Sequence, residues 1–383
     1  MYLHIVSFDI PYPANYGGVI VIFNQLKALH AQGVKIILHC YQYGERSPQP
    51  ELERYCHEVH YYPRPRTLIY QLSIFPFIMT TRNSRALLRR LRQDNYPILF
   101  EGMHTSLMVW HKKLRHRQKI VRMHNVEWQY YEGLSQLTDE VKRKFYFFME
   151  SIKLQRTEPY VVLHADEVIA LSHNDYEYFR QIKANTHLIP PFHPNTTVES
   201  QTGRGEFVLF HGKLSVPDNE RSALWLIDEV FRDLDIPFVI AGMEPSKKLK
   251  DAVARFEHIR LVENPSEQEM SELIKQAHIN LLVSFQVSGI KLKLVNALYR
   301  GRFCIVNDDM VSGSGLQSLC YVRNSARSIR QTIEALMNAP FEEARIQERR
   351  IMLQRDYSNA ESAKKLMGVI RFDQAPAKSG GNS

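Results

Sequence analysis

Only four cysteines occur in the 383 residues, Cys40, Cys56, Cys304 and Cys320. They show neither CxxC spacing nor the density of a secreted scaffold, so buried thiols in a reducing compartment fit them better than a disulfide framework or a metal site. Long apolar runs are also missing: no stretch approaches the roughly 18 consecutive apolar residues that cross a bilayer. The start, MYLHIVSFDI, passes directly into a strand pattern without a basic, apolar, small-residue leader, and a cytoplasmic protein is the expectation. The Gly-x-Gly-x-x-Gly fingerprint is absent, which disfavours a nicotinamide-dependent oxidoreductase. So are zinc-finger spacing and any aromatic-basic nucleic-acid module. The chain carries 49 Lys and Arg against 41 Asp and Glu, a formal charge of +8, which calls for an anionic partner. Nucleic acid is the weakest candidate, leaving phosphate or a lipid surface.

What is present reads as a soluble globular chain, 44% hydrophobic and 23% charged, long enough for two domains of roughly 150 to 200 residues. Short β-branched or apolar runs alternate with helical patterns, the signature of parallel βαβ units. Strands are expected at 3–8, 34–40, 58–63, 97–102, 119–124 and 167–172, with helices beginning near Val19 and spanning about 138–164. The Pro-, Thr-, Ser- and Gly-rich segment before Glu206 reads as a linker. Strands resume at 207–212, 237–242, 258–263, 279–285 and 302–307. The expected organisation is an N-terminal domain at 1–189, a linker at 190–205, a second domain at 206–358, a final helix at 359–372 and a disordered tail at 373–383.

Four segments could carry chemistry. In PANYGGVIVIF, Gly17 and Gly18 lie between the first strand and the first helix; they make either an ordinary tight turn or a close backbone approach to a phosphate or sugar. In KIVRMHNVEW, His124 ends a strand at the carboxyl edge of the sheet, where it either binds a substrate hydroxyl, carries a proton or is held structurally by backbone. Glu101 and His104 form a weaker pair at a similar strand end, and Glu127 and Glu132 read as helix-start or helix-surface carboxylates. In LFHGKLSVPDNE, Gly212 permits a sharp exit and Lys213 offers a point charge to a diphosphate, or else only meets solvent; Asp218 or Asn219 is expected to cap the next helix. The fourth segment, SFQVSGIKLKLVNALYRG, is the most specific. Its loop at Ser288 and Gly289 precedes a helix that turns Leu292, Val295 and Leu298 inward and ends at Gly301, aiming the amides of Ile290, Lys291 and Leu292 at one point. Lys291 and Lys293 at that helix start oppose the macrodipole, a broken local rule that points to an anionic ligand.

In this order, the four segments resemble the retaining GT-B glycosyltransferases of family 4, from Met1 to about Phe372. The resemblance implies an α/β architecture of two Rossmann-like domains facing across a cleft, with the C-terminal helix crossing back to the first. It implies an acceptor held by the N-terminal domain, a nucleotide-diphosphate sugar (UDP- or GDP-) held by the C-terminal one, and hexose transfer with retention, without a metal. Gly17 and Gly18 then match the glycine-rich loop, His124 the histidine on the transferred sugar, and Gly212 with Lys213 the diphosphate contact. A second basic residue expected five or six positions later falls on Asp218 or Asn219, so that charge is missing or comes from Lys291 or Lys293. The family's paired glutamates, catalytic and ribose-binding, fall on Ser288 and Asn296, which hydrogen-bond without a carboxylate charge. A catalytically silent sugar-nucleotide-binding scaffold is therefore the competing reading. The stretch at 66–93, aromatic and aliphatic and then basic, is either a buried helix with a solvated edge or a peripheral contact with anionic lipid at the inner membrane face. In the second case the acceptor is lipid-linked, as in assembly of a surface polysaccharide or glycoconjugate.

Overall fold

The computed structural model describes residues 1–372 apart from residues 66, 139, 287 and 288. The expected tail at 373–383 and Ser288 lie outside the described residues. The chain divides into two compact units, one formed by Met1–Glu132, Phe145–Pro194 and Tyr357–Ser383, the other by Gly133–Lys144 and Asn195–Asp356.

Up to residue 194 the chain runs β1 (Tyr2–Ser7), α1 (Gly17–Ala31), β2 (Lys35–Gln42), β3 (Glu58–Pro63), α2 (Arg85–Leu91), β4 (Ile98–Glu101), β5 (Lys119–Met123), α3 (Glu127–Leu137), α4 (Val141–His164), β6 (Glu167–Ala170), α5 (His173–Ile182) and β7 (Thr186–Leu188), all in the first unit except the end of α3 and the start of α4. All seven strands are parallel, in the order β3-β2-β1-β4-β5-β6-β7. Parallel strands covered on both faces read as continuous apolar runs rather than alternating ones. β1 shows it: every residue from Leu3 to Ser7 is buried. Leu3 and Ile5 pack with Ile22, Leu26 and Leu29 of α1, whereas Val6, Phe100 and Val121 face Leu154, Val161 and Val162 of α4.

The second unit repeats the plan with β8 (Val208–Lys213), α6 (Pro217–Trp225), β9 (Phe238–Met243), α7 (Lys247–Val253), β10 (Ile259–Glu263), α8 (Glu267–Gln276), β11 (Ile279–Leu282), α9 (Leu292–Arg300), β12 (Phe303–Val306), β13 (Tyr321–Val322), α10 (Ala326–Met337) and α11 (Glu343–Tyr357). Its parallel sheet has the order β10-β9-β8-β11-β12-β13. The chain then returns to the first unit with α12 (Asn359–Val369), whose Ala363 and Leu366 join the core beside α1. β7 and β13, three and two residues long, are too short to show a period in the sequence.

Two local expectations fail for identifiable reasons. α6 has Val216 as its N-cap with no side-chain cap, and Pro217 supplies the first turn with a preset φ; neither Asp218 nor Asn219 caps it. In α9 the inward residues are Leu294, Val295, Ala297, Leu298 and Tyr299, while Leu292 is only half-buried. The helix begins at Leu292, so its first side chain lies at the rim of the apolar stripe.

A hydrogen-bonded chain runs through the first sheet. His4 Nε2 lies 3.0 Å from Asp94, His4 Nδ1 is 2.8 Å from His39 Nε2, and His39 Nδ1 is 2.9 Å from the Tyr62 hydroxyl. Two neutral rings satisfy this chain when each donates through Nε2 and Tyr62 donates to His39. Burial lowers the proton affinity of His4 despite the Asp94 carboxylate, and lowers that of His39 further, with His4 and His60 adding to the effect. The unfolded state therefore binds protons that the folded state refuses, so their contribution to stability is complete above about pH 6.5 and is lost as pH falls below it. Each histidine adds a slope of about 1.4 kcal/mol per pH unit within its window. Thermal unfolding of wild type and His39→Gln between pH 7.5 and 5 should show the shallower pH dependence in the variant; parallel curves would contradict this account.

Candidate functional site

Open parallel sheets bind ligands at the carboxyl ends of their strands, where the strand order reverses. In the second unit that point lies between β8 and β11. β8 leaves through Gly212, whose register partner on β9 is Gly242. A Cβ on Gly242 would stand 1.8 Å from the Gly212 carbonyl oxygen, so the close approach of these strand ends requires glycine there.

Lys213 follows, with its ammonium 3.3 Å from Glu244 and more than a third of its side chain exposed. Glu244 itself takes φ +56°, its amide held by the Asn264 side chain. The more protected cation is Lys293. Its Nζ donates to Asn219 Oδ1 at 2.7 Å and sits 5.0 Å from the Phe210 ring centre. Burial lowers its pKa to about 8, Asp218 opposing the shift and Lys291 reinforcing it. Asn219, one of the two positions where the sequence lacks an expected basic residue, thus meets the ammonium of Lys293 from α9.

Asp218 has a different task from capping. Its carboxylate accepts from Ser284 Oγ and from the Phe285 amide, both at 2.7 Å. Asn307 holds the other side of the same turn, accepting from the Ser284 amide and donating to its carbonyl. These four bonds fix the start of the loop that leads through Gly289, at φ +71°, and half-buried Ile290 into α9. Lys291 is the N-cap of α9, and its Nζ donates to the Gly289 carbonyl at 3.1 Å. Gly289 and Ile290 thus lead into the first turn of α9, whose Lys293 meets Asn219, and a Cβ on Gly212 would lie 3.0 Å from the Asn219 side-chain amide. Asn296 lies one turn further on and accepts a hydrogen bond from Asn195 Nδ2 at 2.8 Å.

In the first unit the corresponding edge is formed by the ends of β1, β4 and β5. Gly17 and Gly18 open α1; a Cβ on Gly17 meets nothing, whereas one on Gly18 would lie 2.6 Å from the Phe8 ring. Gly18 thus serves packing against Phe8, and Gly17 is the open position. Tyr16 donates to Asp9 at 2.7 Å.

His124, just past β5, is 2.8 Å from Glu101 Oε2, and Gln25 donates to Glu101 Oε1 at 2.8 Å. Arg122 stands 3.9 Å from the same carboxylate and donates to Gln25. Burial pushes the Glu101 carboxyl up, but His124, Arg122 and Gln25 outweigh it and hold it below the usual range. The partner of Glu101 is thus His124 and not His104, which lies at φ-positive Gly102 with its Nδ1 buried and unpartnered. Glu127 does open α3, yet it is buried, and burial raises its carboxyl to about 7. Glu132 is exposed.

Residues 16–193 match the model of Glycosyltransferase Family 4. A protein of Klebsiella pneumoniae described as an uncharacterized 44.6 kDa protein in the cps region is 26% identical over 328 residues, 81% of this chain and 84% of that protein. Among solved structures, sucrose-phosphate synthase from Thermosynechococcus elongatus superposes with a TM-score of 0.71 at 14% identity, over 96% of this chain and 98% of that one. TarM gives 0.69 at 10% identity, with the same coverage. HepE of Anabaena, in complex with UDP and glucose, gives 0.63 at 12% identity over the same shares. The architecture of two doubly wound parallel sheets is the GT-B fold.

Proposed function

We propose that this chain, a GT-B protein whose residues 16–193 match the model of Glycosyltransferase Family 4, transfers a hexose from a nucleotide-diphosphate sugar to a glycan or lipid-linked acceptor with retention. The observation that carries the reading is the placement of Lys293 against Asn219 at the carboxyl edge of β8. A partly desolvated ammonium there, beside the α9 start and Lys213, suits a diphosphate better than a neutral ligand. HepE has been solved with UDP-glucose, which supports a UDP-sugar as donor, with a GDP-sugar as the other choice.

In the reaction, the bond from the anomeric carbon to the diphosphate oxygen breaks and a bond to the acceptor hydroxyl oxygen forms on the same face. The hydroxyl proton passes to the departing diphosphate, leaving a nucleoside diphosphate and the glycoside. Lys293, Lys213 and the amides at the start of α9 stabilise the negative charge that develops on the leaving group. His124, fixed by Glu101, offers its remaining ring nitrogen to a sugar hydroxyl. The relative in the cps region supports a role in surface polysaccharide assembly. The exposure of Ile69, Leu72 and Ile74 supports a lipid-linked acceptor approached at a membrane surface. Among the described residues no helix is long and apolar enough to cross a membrane.

One observation favours the silent scaffold: the Asn296 oxygen is already engaged by Asn195, leaving less of that side chain for a ribose. Calorimetric titration with UDP-glucose, UDP-galactose, GDP-mannose and ADP-glucose, followed by measurement of nucleoside diphosphate release with glycan acceptors, separates the readings. Binding with release supports transfer. Binding without release on every acceptor supports the scaffold, and no binding of any donor sinks both.

A further inference from the structure

Among its described residues, the N-terminal unit holds two guanidinium groups that no carboxylate pairs with. Arg82 is buried, its Nε donating to the Phe8 carbonyl and one terminal nitrogen to the Ile78 carbonyl, both at 2.8 Å. Arg64 follows β3, donates through Nε to Thr81 Oγ1 at 2.9 Å, and lies over the rings of Tyr43 and Phe77, at 4.3 and 5.7 Å from their centres. Among the described residues no carboxylate oxygen comes within 4.0 Å of either group. The neighbouring acids are committed elsewhere: Asp9 to Tyr16, the Ile10 amide and Arg46, and Glu101 to His124, Gln25 and Arg122.

Buried charges in proteins are ordinarily paired, because the interior disfavours an isolated ion. Burial, reinforced by the Arg64 charge and opposed more weakly by Tyr131, Tyr16 and Asp9, brings Arg82 down to about 9. The same two positive charges, after burial, help hold the His104 imidazole neutral, and the His104 ring is tilted against that of Phe8 with centres 4.9 Å apart, Phe8 being the residue whose carbonyl Arg82 binds. Arg64 and Arg82 therefore form one electropositive pair, with the neutral His104 ring beside it, at the ends of β1, β3 and β4. Tyr43, nearly half exposed, gives that group an aromatic face of the kind sugars stack on.

We propose that Arg82 and Arg64 bind an oxyanion carried by the acceptor, so that the acceptor is an acidic saccharide, a sugar phosphate or a uronate, rather than a neutral one. The planar fork of arginine fits either group in a bidentate manner. The proposal rests on the reading of the N-terminal unit as the acceptor side. Lys213, Lys291 and Lys293 stand in the other unit and answer to the donor.

The test is calorimetric titration of the full chain with glucose 6-phosphate, glucuronate and glucose, with UDP present to occupy the C-terminal unit. At least one anionic sugar should bind tenfold or more tighter than glucose, and which one does so identifies the acidic group. Arg82→Gln should remove that preference, Arg64→Gln should reduce it several-fold, and Arg115→Gln, an exposed charge elsewhere in the unit, should leave it unchanged. Arg82→Lys, which keeps the charge and loses the fork, should fall between wild type and Arg82→Gln, and reads the site even where the glutamine variant fails to fold. Equal binding of all three sugars, or anion binding untouched in folded Arg82 and Arg64 variants, overturns the proposal. Arginine-dependent anion binding without any nucleotide-sugar binding upholds this site and removes the donor reading instead.

Discussion

Replacing Lys293 by Met should lower the affinity for UDP or GDP by about 10- to 100-fold while leaving the fold intact. Methionine keeps most of the volume and apolar contact of the side chain and removes only the ammonium, which now meets Asn219. A charge-assisted contact in a partly desolvated place contributes about 1.4 to 2.8 kcal/mol, which converts to that range. Lys213→Met should cost less, because Lys213 is more exposed and already shares its charge with Glu244. The pH dependence separates the two. With a pKa of about 8, Lys293 loses its proton as pH rises through 8, so wild-type affinity should decline between pH 7 and 9.5 while the Lys293→Met variant stays flat. Calorimetry across that range decides the matter, and equal affinities for wild type and variant at pH 7 would remove Lys293 from the donor site.

Glu101→Ala should be among the most destabilising single changes in the N-terminal unit. Glu101 and Arg122 are both completely buried, and the carboxylate also anchors Gln25 and His124. Its removal leaves the Arg122 guanidinium without a counter-ion in the interior, a type of change that costs about 3 to 5 kcal/mol. Arg122→Met in the same background should recover part of the loss, since replacing both charges avoids the orphan. Denaturant unfolding of the two single variants and the double variant measures the coupling; additive effects would mean that the buried pair contributes nothing as a pair. Any folded Glu101 variant should also lose transfer activity, because His124 is then free to rotate.

The architecture was legible because its signal is repeated. Apolar runs bounded by helical patterns recur along both halves, and each run from 3–8 to 302–307 overlaps a strand of the structure. The short edges β7 and β13 carry too few residues for a pattern. The sites were legible in part. Strand-end positions such as His124, Gly212 and Lys213 stand out because a βα turn has few residues and each has a defined place. Partnerships were not. Glu101 reads most naturally with His104, three residues away, but the parallel pairing of β4 and β5 sets it level with Arg122 and brings His124 into hydrogen-bonding distance. Asp218 reads as a helix cap, yet Pro217 supplies the first turn and frees the carboxylate for Ser284 and Phe285.

By itself the sequence determined the fold class and which strand-end segments are glycine- and lysine-bearing, since both depend on short-range regularities: periodicity, glycine at turns, and lysines set against a helix dipole. Which lysine meets Asn219, which carboxylate holds His124, and where Arg64 and Arg82 stand with no carboxylate beside them among the described residues were decided only by the tertiary structure. Those are distances between residues 17 to 74 positions apart. They follow from strand order and helix packing, and a linear chain does not express them.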